Sequence, residues 1–398
     1  MNKRDFLGAS AVDPEVEAYF RNSKRLYRAL GLPIDSEIDL HPIGSGEHNL
    51  NFLFNDPASG SRYVLRVNVT RQPFHKNQVL YEFDALKSLE PSGCTPVPLF
   101  VDDSMDAPYE GVLVESFCEG RQLDFDDLHP GDLGKAAALM ARVHSVVPKR
   151  DCRLIRPEDP LHRLLDECVA RYRLYTDSPY CEDRIRRYMD RAILRIEGES
   201  DCYEFEPADA RIVNNEPLSS HFLLFENRIQ AESASENKIA DADSNGTHIE
   251  TPGYFIDWER PMLGDIAEDL AFFTDATSSF WESDHLFPSD RIQMVLTAYW
   301  QAMEKTADVV DMRGGGASAA SSDEARGLNR LKKDFEKRFL LFRKATTLRA
   351  LCWCCRAEVQ FREMPELYRT KRAESKVPVY LSEDFLTFLW DDVFSERI

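Results

Sequence analysis

The chain has 398 residues and a formal net charge of -20, with 49 lysines and arginines against 69 aspartates and glutamates. This length allows a sizeable core and indicates two lobes or domains. A protein this acidic repels phosphate backbones, which argues against nucleic acid as a main partner. Hydrophobic residues make up 43% and charged residues 30%, which is typical of a soluble globular protein.

The sequence also predicts a cytoplasmic location with no membrane contact. No apolar run approaches the roughly 20 residues that a membrane span needs. The start, Met1–Leu7, is basic but lacks an apolar segment behind it, so we expect no signal peptide. Nine cysteines fit a reducing compartment better than a disulfide scaffold. Cys352, Cys354 and Cys355 lie in an apolar helical segment without a zinc-like spacing and are interpreted as buried thiols.

Residues 1–35 are predicted to form a helical extension outside the first lobe. Apolar residues recur at helical spacing from Pro14 to Leu32, where Gly31 and Pro33 end the segment. A strand-rich first lobe over residues 36–117 follows, because short alternating runs are separated by turn residues. The strand candidates are Ile38–Ile43, Leu50–Phe54, Tyr63–Val67, Val97–Val101 and Gly111–Phe117.

Two features of this lobe point to an anion. The glycine-containing turn Gly44–Asn49 would lay backbone N–H groups over a phosphate, although plain hairpin turns share the pattern. Arg66 lies within an apolar strand, where a cation is costly unless an anion meets it or the strand is an edge facing solvent. A helix over Asn77–Leu89 carries Glu82, which either pairs with Arg66 or is an exposed helix charge.

Residues 118–398 are predicted to form a mostly helical second lobe. Its central stretch has polar clusters beside short apolar runs, in Arg211–Leu224 and Gly253–Leu270. Segments 226–252 and 312–327 are rich in small and polar residues and are interpreted as flexible insertions. His144, on an amphipathic helix, is interpreted as a packed core histidine.

The order of these parts resembles the aminoglycoside phosphotransferase and choline kinase-like family, which shares the two-lobed protein kinase architecture. The resemblance covers residues 36–390. It implies an α+β fold with a small antiparallel-sheet lobe and a larger helical lobe. It also implies an ATP-dependent phosphotransferase acting on a hydroxyl of an amine, amino alcohol or sugar-like molecule, with Mg²⁺ or Mn²⁺. The segments that carry it are Tyr63–Val67, Tyr81–Leu89 with Pro96–Pro98, Gly111–Glu115, and Ile256–Glu259 followed by Gly264-Asp and Asp269-Leu.

Carried over by position, the resemblance implies a nucleotide site in the first lobe. Arg66 would bind the phosphates, and Glu82 would orient Arg66. The backbone around Glu115 and Phe117 would meet the adenine. The positions that would cover the phosphates are Gly44, Ser45, Gly46 and Asn49.

The catalytic loop departs from the family pattern, which reads His-x-Asp-x-x-x-x-Asn. This chain has Asn214, Glu216 and His221 at the same spacing. The resemblance implies that Glu216 accepts the proton of the substrate hydroxyl, a contribution of about 10²–10⁴ in rate. Asn214 would keep a structural hydrogen bond. Asp257 stands at the position of the metal ligand, and Asp269 at that of the buried aspartate supporting the loop.

His221 leaves the identity of the metal unspecified, because Mg²⁺ prefers oxygen ligands and imidazole suits softer metals. The alternatives are a single metal on Asp257, a preference for Mn²⁺, or impaired catalysis. Glu259 would supply a substitute carboxylate, since residues two apart on a strand face the same way. The chain is therefore either a small-molecule kinase or a nucleotide-binding pseudokinase. A protein-interaction module has only the acidic insertion in its favour.

The acceptor is not specified by the sequence, and neither is the oligomeric state. Trp258, Phe280 and Trp281, together with Asp284, would line a pocket for a cationic amine or a sugar. Core packing is the alternative for each tryptophan.

Overall fold

The computed structural model describes residues 12–34, 36–45, 48–70, 76–226, 251–313, 327–364 and 370–395. Most of the two predicted insertions, residues 227–250 and 314–326, lies outside the described residues, as do Gly46 and residues 1–11.

The first lobe is built on a five-stranded antiparallel sheet with the order β1-β2-β3-β5-β4. All five predicted strands are present, although β1 begins later than expected. β3 pairs with both β2 and β5, so Arg66 lies in the middle of the sheet and the edge-strand alternative for it is wrong. The strands are β1 (His41–Ser45), β2 (Asn49–Asn55), β3 (Arg62–Asn68), β4 (Pro98–Asp102) and β5 (Val112–Ser116).

Two short helices, α1 (Pro14–Asn22) and α2 (Lys24–Leu30), replace the single N-terminal helix expected from the sequence. Ser23 leaves the helical conformation, and its side chain caps α2 by accepting from the N–H of Leu26. Val16, Phe20 and Leu26 join the apolar cluster of the sheet, so the extension packs on the first lobe as predicted. Helix α3 (Gln78–Leu89) is capped by Asn77.

The second lobe is mainly helical, and helix α5 packs along α10 while α4 packs against α9. Cys352, Cys354 and Cys355 are buried in this core as free thiols, which confirms their interpretation. The helices are α4 (Asp132–Ser145), α5 (Pro160–Thr176), α6 (Asp183–Ser200), α7 (Ile266–Phe273), α8 (Ala276–Glu282), α9 (Ile292–Arg313), α10 (Phe335–Glu363), α11 (Lys371–Tyr380) and α12 (Glu383–Leu389). Short 3₁₀ turns cover Glu90–Ser92, Pro207–Asp209, Ser219–His221 and Ser289–Arg291, and Trp390–Phe394 is a π-helical turn.

Two small antiparallel sheets carry the polar loops of the second lobe. β7 pairs with β10, and β8 lies between β6 and β9. The loop after β7 runs through Asn214 and Glu216 to His221, and Asp257 follows β9. The strands are β6 (Arg121–Gln122), β7 (Arg211–Val213), β8 (Phe222–Leu224), β9 (Gly253–Phe255) and β10 (Met262–Gly264). The predicted α+β, two-lobed architecture is confirmed. Among the described helices, none has the length and apolar character required to cross a bilayer.

Candidate active site

Arg66 joins three carboxylates that come from three segments of the chain. Its Nε donates to Glu82 Oε2 at 2.9 Å, which confirms the predicted pair. One of its terminal nitrogens contacts Asp257 Oδ1 at 3.1 Å and also pairs with Glu259. The Arg66 side chain is only 9% exposed. A buried cation therefore links the two lobes at the predicted phosphate position.

Glu82 is fixed from its own helix and from β3. Its Oε1 accepts hydrogen bonds from Gln78 at 3.0 Å and Asn68 at 3.4 Å. Burial raises the pKa of Glu82, and the attraction of Arg66 opposes that shift. The carboxylate thus depends on Arg66 for its charge, and Arg66 depends on Glu82 for its position.

The carboxylate of Glu259 is hydrogen-bonded to side chains of the first lobe. Its Oε1 accepts hydrogen bonds from Arg66 and from the side-chain amide of Asn49, and its backbone carbonyl accepts from Gln78 at 2.6 Å. Burial and the nearby charge of Asp257 raise the pKa of Glu259 to about 8. The structure therefore places Glu259 against Arg66.

Of the residues predicted to cover the phosphates, Gly44 and Ser45 belong to β1, and Asn49 begins β2. A Cβ at Gly44 would meet open space, so this position leaves room for a ligand. Asn49 is buried and points to Glu259. Gly46 lies outside the described residues.

The predicted adenine-facing backbone lies at the end of β5. The N–H of Ser116 donates to Val97 at 2.9 Å, and the N–H of Phe117 donates to Arg62 at 3.0 Å. These two donors are already hydrogen-bonded within the first lobe. Burial raises the pKa of the Glu115 side chain to about 7, although Arg66 opposes the shift.

Asp269, fully buried on α7, holds the loop that follows β7. Its oxygens accept the N–H groups of Asn214 at 2.7 Å and of Asn215 at 2.8 Å. Asn214 in turn donates its amide to the Asp257 carbonyl at 2.8 Å and accepts the N–H of Glu216 at 3.2 Å. Asn215 adopts a φ of 74°, which lets the chain turn between these contacts. The network connects the candidate base directly to the candidate metal ligand.

His144 is fully buried, and its interpretation as a core histidine is confirmed. One ring nitrogen contacts Tyr299 Oη at 2.9 Å and the other contacts Asp269 Oδ2 at 3.2 Å. It therefore also positions the aspartate beneath the loop, which sequence reasoning did not anticipate.

Among the described residues, side-chain hydrogen bonds reach only one carboxylate oxygen of Glu216. Arg260 at 2.9 Å and Arg349 at 3.0 Å both donate to its Oε1. Within the described part of the chain, its Oε2 has no hydrogen-bond partner, and the side chain is 37% exposed. Burial favours a higher pKa, but Arg260 and Arg349 outweigh it and lower the pKa of Glu216. This carboxylate is ionised at neutral pH and has a free oxygen.

Asp257 and His221 face each other across a short gap. Asp257 Oδ2 lies 3.4 Å from His221 Nε2, and the N–H of Ile256 donates to the His221 carbonyl at 2.8 Å. Asp257 has a φ of 63°, an uncommon conformation for a residue other than glycine. Burial raises the pKa of this carboxyl, but Arg66 and His221 outweigh that effect and lower it.

These two donors fit one small divalent ion. Two ligands that are each about 2.1 Å from an ion lie about 3.0–3.4 Å apart in octahedral or tetrahedral geometry. Among the described residues there is no group of three or more acidic, histidine or cysteine side chains placed to bind a metal. Asp257 and His221 would thus supply two ligands, and phosphate and water oxygens the rest.

The predicted acceptor pocket is not formed. Trp258 is 3% exposed and packs in the core. The ammonium of Lys376 lies 4.0 Å above the Phe280 ring and pairs with Asp284 at 2.7 Å. Trp281 packs edge-on against another tryptophan of the second lobe. A cation of the protein itself therefore occupies the place expected for a cationic substrate.

Sequence reasoning missed the arginines around Glu216. Glu167 on α5 accepts from Arg163 at 3.0 Å and from Arg260 at 2.9 Å, and it also pairs with Arg171. Arg349 lies inside an apolar helical run, and such a cation predicts a buried anionic partner for the same reason as Arg66 does. We call this group the arginine cluster; it consists of Arg163, Arg171, Arg260, Arg349 and Arg356 with Glu167, Glu216 and Glu268.

Known proteins resemble this chain in sequence over part of its length and in fold over most of it. Residues 39–199 match the model of the phosphotransferase enzyme family. No curated protein matches the chain by sequence. A choline kinase from Cryptosporidium parvum Iowa II has a similar structure, with a TM-score of 0.55 and 14% identity over 92% of this chain and 95% of that chain.

Two further structures have the same fold. A Plasmodium vivax ethanolamine kinase gives a TM-score of 0.53 and 12% identity over 96% of this chain and 93% of that chain. A spectinomycin phosphotransferase, solved in complex with ADP and spectinomycin, gives a TM-score of 0.52 and 11% identity over 93% of this chain and 98% of that chain. At such identities the likeness shows the fold alone.

The family match ends before β7, so it does not include the loop with Glu216 or the metal-facing Asp257. The likeness in fold extends through both. Together they confirm the resemblance predicted from the sequence: residues 39–199 match the model of the phosphotransferase enzyme family, and the chain as a whole is similar in fold to kinases of small molecules.

Proposed function

We propose that this protein is an ATP-dependent phosphotransferase that acts on a hydroxyl group of a small molecule. The observation that carries the proposal is the free Oε2 of Glu216, in one hydrogen-bonded network with the facing pair Asp257 and His221. A carboxylate acceptor and a metal site in one network are what transfer of a phosphoryl group to a hydroxyl needs.

Arg66 and the open space beside Gly44 support binding of the triphosphate. Arg66 now pairs with Glu82, Asp257 and Glu259, and phosphate oxygens would compete for the same guanidinium. Mg²⁺ or Mn²⁺ held by Asp257 and His221 would neutralise charge on the phosphates. The imidazole ligand favours Mn²⁺ over Mg²⁺ in this site.

Glu216 would act as the base. Because Arg260 and Arg349 keep it ionised, it can accept the hydroxyl proton at neutral pH without first losing one of its own. A low pKa makes it a weak base, but phosphoryl transfer depends mostly on positioning and electrostatics. Orienting the hydroxyl is thus the larger part of its role. Asn214 and Asp269 hold the loop that presents it.

Nucleotide binding is tested first, by thermal and chemical unfolding with ATP and either Mg²⁺ or Mn²⁺. At 100 times Kd, a ligand of the folded state stabilises it by about 2.7 kcal/mol. Stabilisation by neither pair would contradict the proposal. A phosphorylation screen of a metabolite pool then identifies the acceptor.

The role of Glu216 is tested with Glu216→Gln, which keeps the shape and removes the charge. We expect the rate of phosphoryl transfer to fall by about 10²–10⁴ while ATP still stabilises the fold. Glu197→Gln, at an exposed position on α6, is the matched control. Transfer as fast as in the parent would exclude Glu216 as the base. Nucleotide binding with no transfer in the parent would instead favour a pseudokinase.

A further inference from the structure

The arginine cluster lies beside the free oxygen of Glu216 and carries more positive than negative charge. Five arginines meet three glutamates, and their side chains come from α5, α7, α10 and the loops after β7 and β9. The five guanidinium groups offer about 25 N–H bonds, whereas three carboxylates accept about 12. Among the described residues, the buried Nε atoms of Arg163 and Arg356 have no hydrogen-bond partner.

The arginines are withdrawn from water to different extents. The exposed fraction of the side chain is 6% for Arg349, 15% for Arg260 and 17% for Arg171. One glutamate, Glu167, is shared by Arg260, Arg171 and Arg163. Arg260 also pairs with Glu216 and Arg163 with Glu268, so among the described residues Arg171 has only the shared carboxylate. Uncompensated charge at this depth is costly, and an anion would offset the cost.

Arg356 is the least satisfied member. It follows Arg349 by about two turns on α10, and its buried Nε has no hydrogen-bond partner. Within the described residues it makes no ion pair. Burial, and then repulsion by Arg349, Arg260 and Arg356, lowers the pKa of Arg171, although Glu167 opposes the shift. The ion pairs of Arg171 and Arg260 with Glu167, and of Arg260 and Arg349 with Glu216, place these three arginines beside one another.

A substrate hydroxyl placed on Glu216 Oε2 would be next to these guanidinium groups, since Arg260 and Arg349 hold the other oxygen. Arg171 is linked to this pair through Glu167, whose Oε1 it shares with Arg260. A cationic acceptor would be repelled here. The aromatic ring and acid that the sequence suggested for a cationic acceptor, Phe280 and Asp284, both contact Lys376.

We propose that the acceptor carries an anionic group, a carboxylate or a phosphate, that binds Arg171 and Arg356 while its hydroxyl lies against Glu216 Oε2. This inference rests on the proposed function and narrows its acceptor class. Guanidinium groups bind both kinds of oxyanion in pairs of parallel hydrogen bonds, which fixes orientation as well as charge. In the transfer step the hydroxyl oxygen forms a bond to the γ-phosphorus of ATP, the bond to the β–γ bridging oxygen breaks, and the hydroxyl proton goes to Glu216.

The first experiment compares three acceptors that share one hydroxyl and differ in the other end: 3-hydroxypropionate, 3-hydroxypropyl phosphate and 3-aminopropanol. Each is incubated with the full chain, ATP and Mn²⁺, and the phosphorylated product is measured. We expect kcat/KM for an anionic acceptor to exceed that for the amine at least tenfold, and the two anionic members show which oxyanion is preferred. Preference for the amine would overturn the inference while leaving the proposed function intact.

The second experiment measures binding and decides the case in which none of the three acceptors is turned over. Inorganic phosphate and malonate are titrated separately, by calorimetry, into the protein saturated with a non-hydrolysable ATP analogue and Mn²⁺. We expect one of them to bind, with a Kd raised at least tenfold by Arg171→Gln and by Arg356→Gln. Arg186→Gln, on the exposed side of α6, is the control and should leave Kd unchanged.

Stabilisation by ATP and Mn²⁺ checks in every variant that the fold and the nucleotide site are intact. No anion binding, or equal Kd values in all variants, would overturn the inference. Failure of the ATP analogue to bind would instead contradict the proposed function, and the two failures are thus told apart.

Discussion

Two buried charge clusters lie on either side of the candidate active site, and their imbalances are opposite. On the first-lobe side, Arg66 alone meets Glu82, Asp257 and Glu259. On the second-lobe side, five arginines meet three glutamates. One cluster has an excess of carboxylates and the other an excess of guanidinium groups.

The difference shows what each cluster can bind. Under the proposed function, the carboxylates beside His221 would attract a metal ion, and the nucleotide phosphates would compete with them for Arg66. Excess guanidinium groups beside Glu216 attract an anion. Two clusters of one sign would have favoured only one kind of ligand. Their opposition separates a metal–nucleotide side from an acceptor side, and the following predictions test that separation.

The largest effect is expected for Arg66→Met. Removing this cation leaves Glu82, 2% exposed, without the arginine that pairs with it, and breaking a buried pair in this way costs about 3–5 kcal/mol. The free energy of unfolding in urea at pH 7 measures it. The double variant Arg66→Met/Glu82→Leu should recover much of the loss, because apolar pairs replace buried ion pairs well. If Arg66→Met alone were as stable as the parent, Arg66 would not be the residue that stabilises this cluster.

Asp257→Asn should weaken Mn²⁺ binding in the presence of ATP by at least 10–100-fold, the loss typical even of residues that only orient a ligand. Titration with Mn²⁺ followed by electron paramagnetic resonance measures the affinity. Asp183→Asn, whose parent side chain is 73% exposed on α6, should change nothing. Equal Mn²⁺ affinities in the parent and both variants would show that Asp257 does not bind the metal.

The acidic cluster should also make stability fall as the pH rises. The folded-state pKa of Glu259, about 8, lies above the ordinary value of 4.5, so the folded protein retains a proton that the unfolded chain releases. This contribution is complete below about pH 4.5 and is lost as the pH rises through 8, with a slope of at most about 1.4 kcal/mol per pH unit.

Urea unfolding between pH 5 and pH 8.5 tests this in the parent and in Glu259→Gln. The variant should show the smaller loss of stability with pH. Glu115, with a pKa of about 7, adds a slope of the same sign in both proteins, so their difference isolates Glu259. If the free energy of unfolding fell equally with pH in both proteins, the pKa of Glu259 would not be raised.

The smallest effect is expected outside both clusters. Lys333 and Glu204 approach to 3.5 Å, but their side chains are 70% and 78% exposed. Lys333→Met should therefore alter the free energy of unfolding by less than about 1 kcal/mol. A larger loss would mean that burial is not what distinguishes the two clusters from surface ion pairs.

The fold was predictable to a large extent, since the strands of the first lobe and most helices followed from apolar spacing. Arg66 was predictable too, because a cation inside an apolar strand is a local anomaly. The arginine cluster was not. Arg163 and Arg171 lie four residues from Glu167 on the same helix, but Arg260 and Arg349 come from distant parts of the chain, and no local pattern shows that they converge on Glu216.

The pairing of individual atoms was equally hidden. Glu259 was expected to assist the metal, but the structure pairs it with Arg66 and Asn49. Lys376, far along the chain, fills the place predicted for a cationic substrate beside Phe280. Spacing along a strand or helix gives the direction of a side chain, but its partner depends on segments that the pattern does not contain.

The β8–β9 pair has a consequence for how the chain tolerates change. Phe225 donates its N–H to the Pro252 carbonyl at 2.9 Å, so the ends of the intervening residues 226–251 are tied together. At the other end of the same strands lie His221 and Asp257. A side chain at Gly253 would run into the Leu223 carbonyl and separate the strands. One methyl group at Gly253 would therefore disturb the strand pair that holds His221 and Asp257 opposite each other.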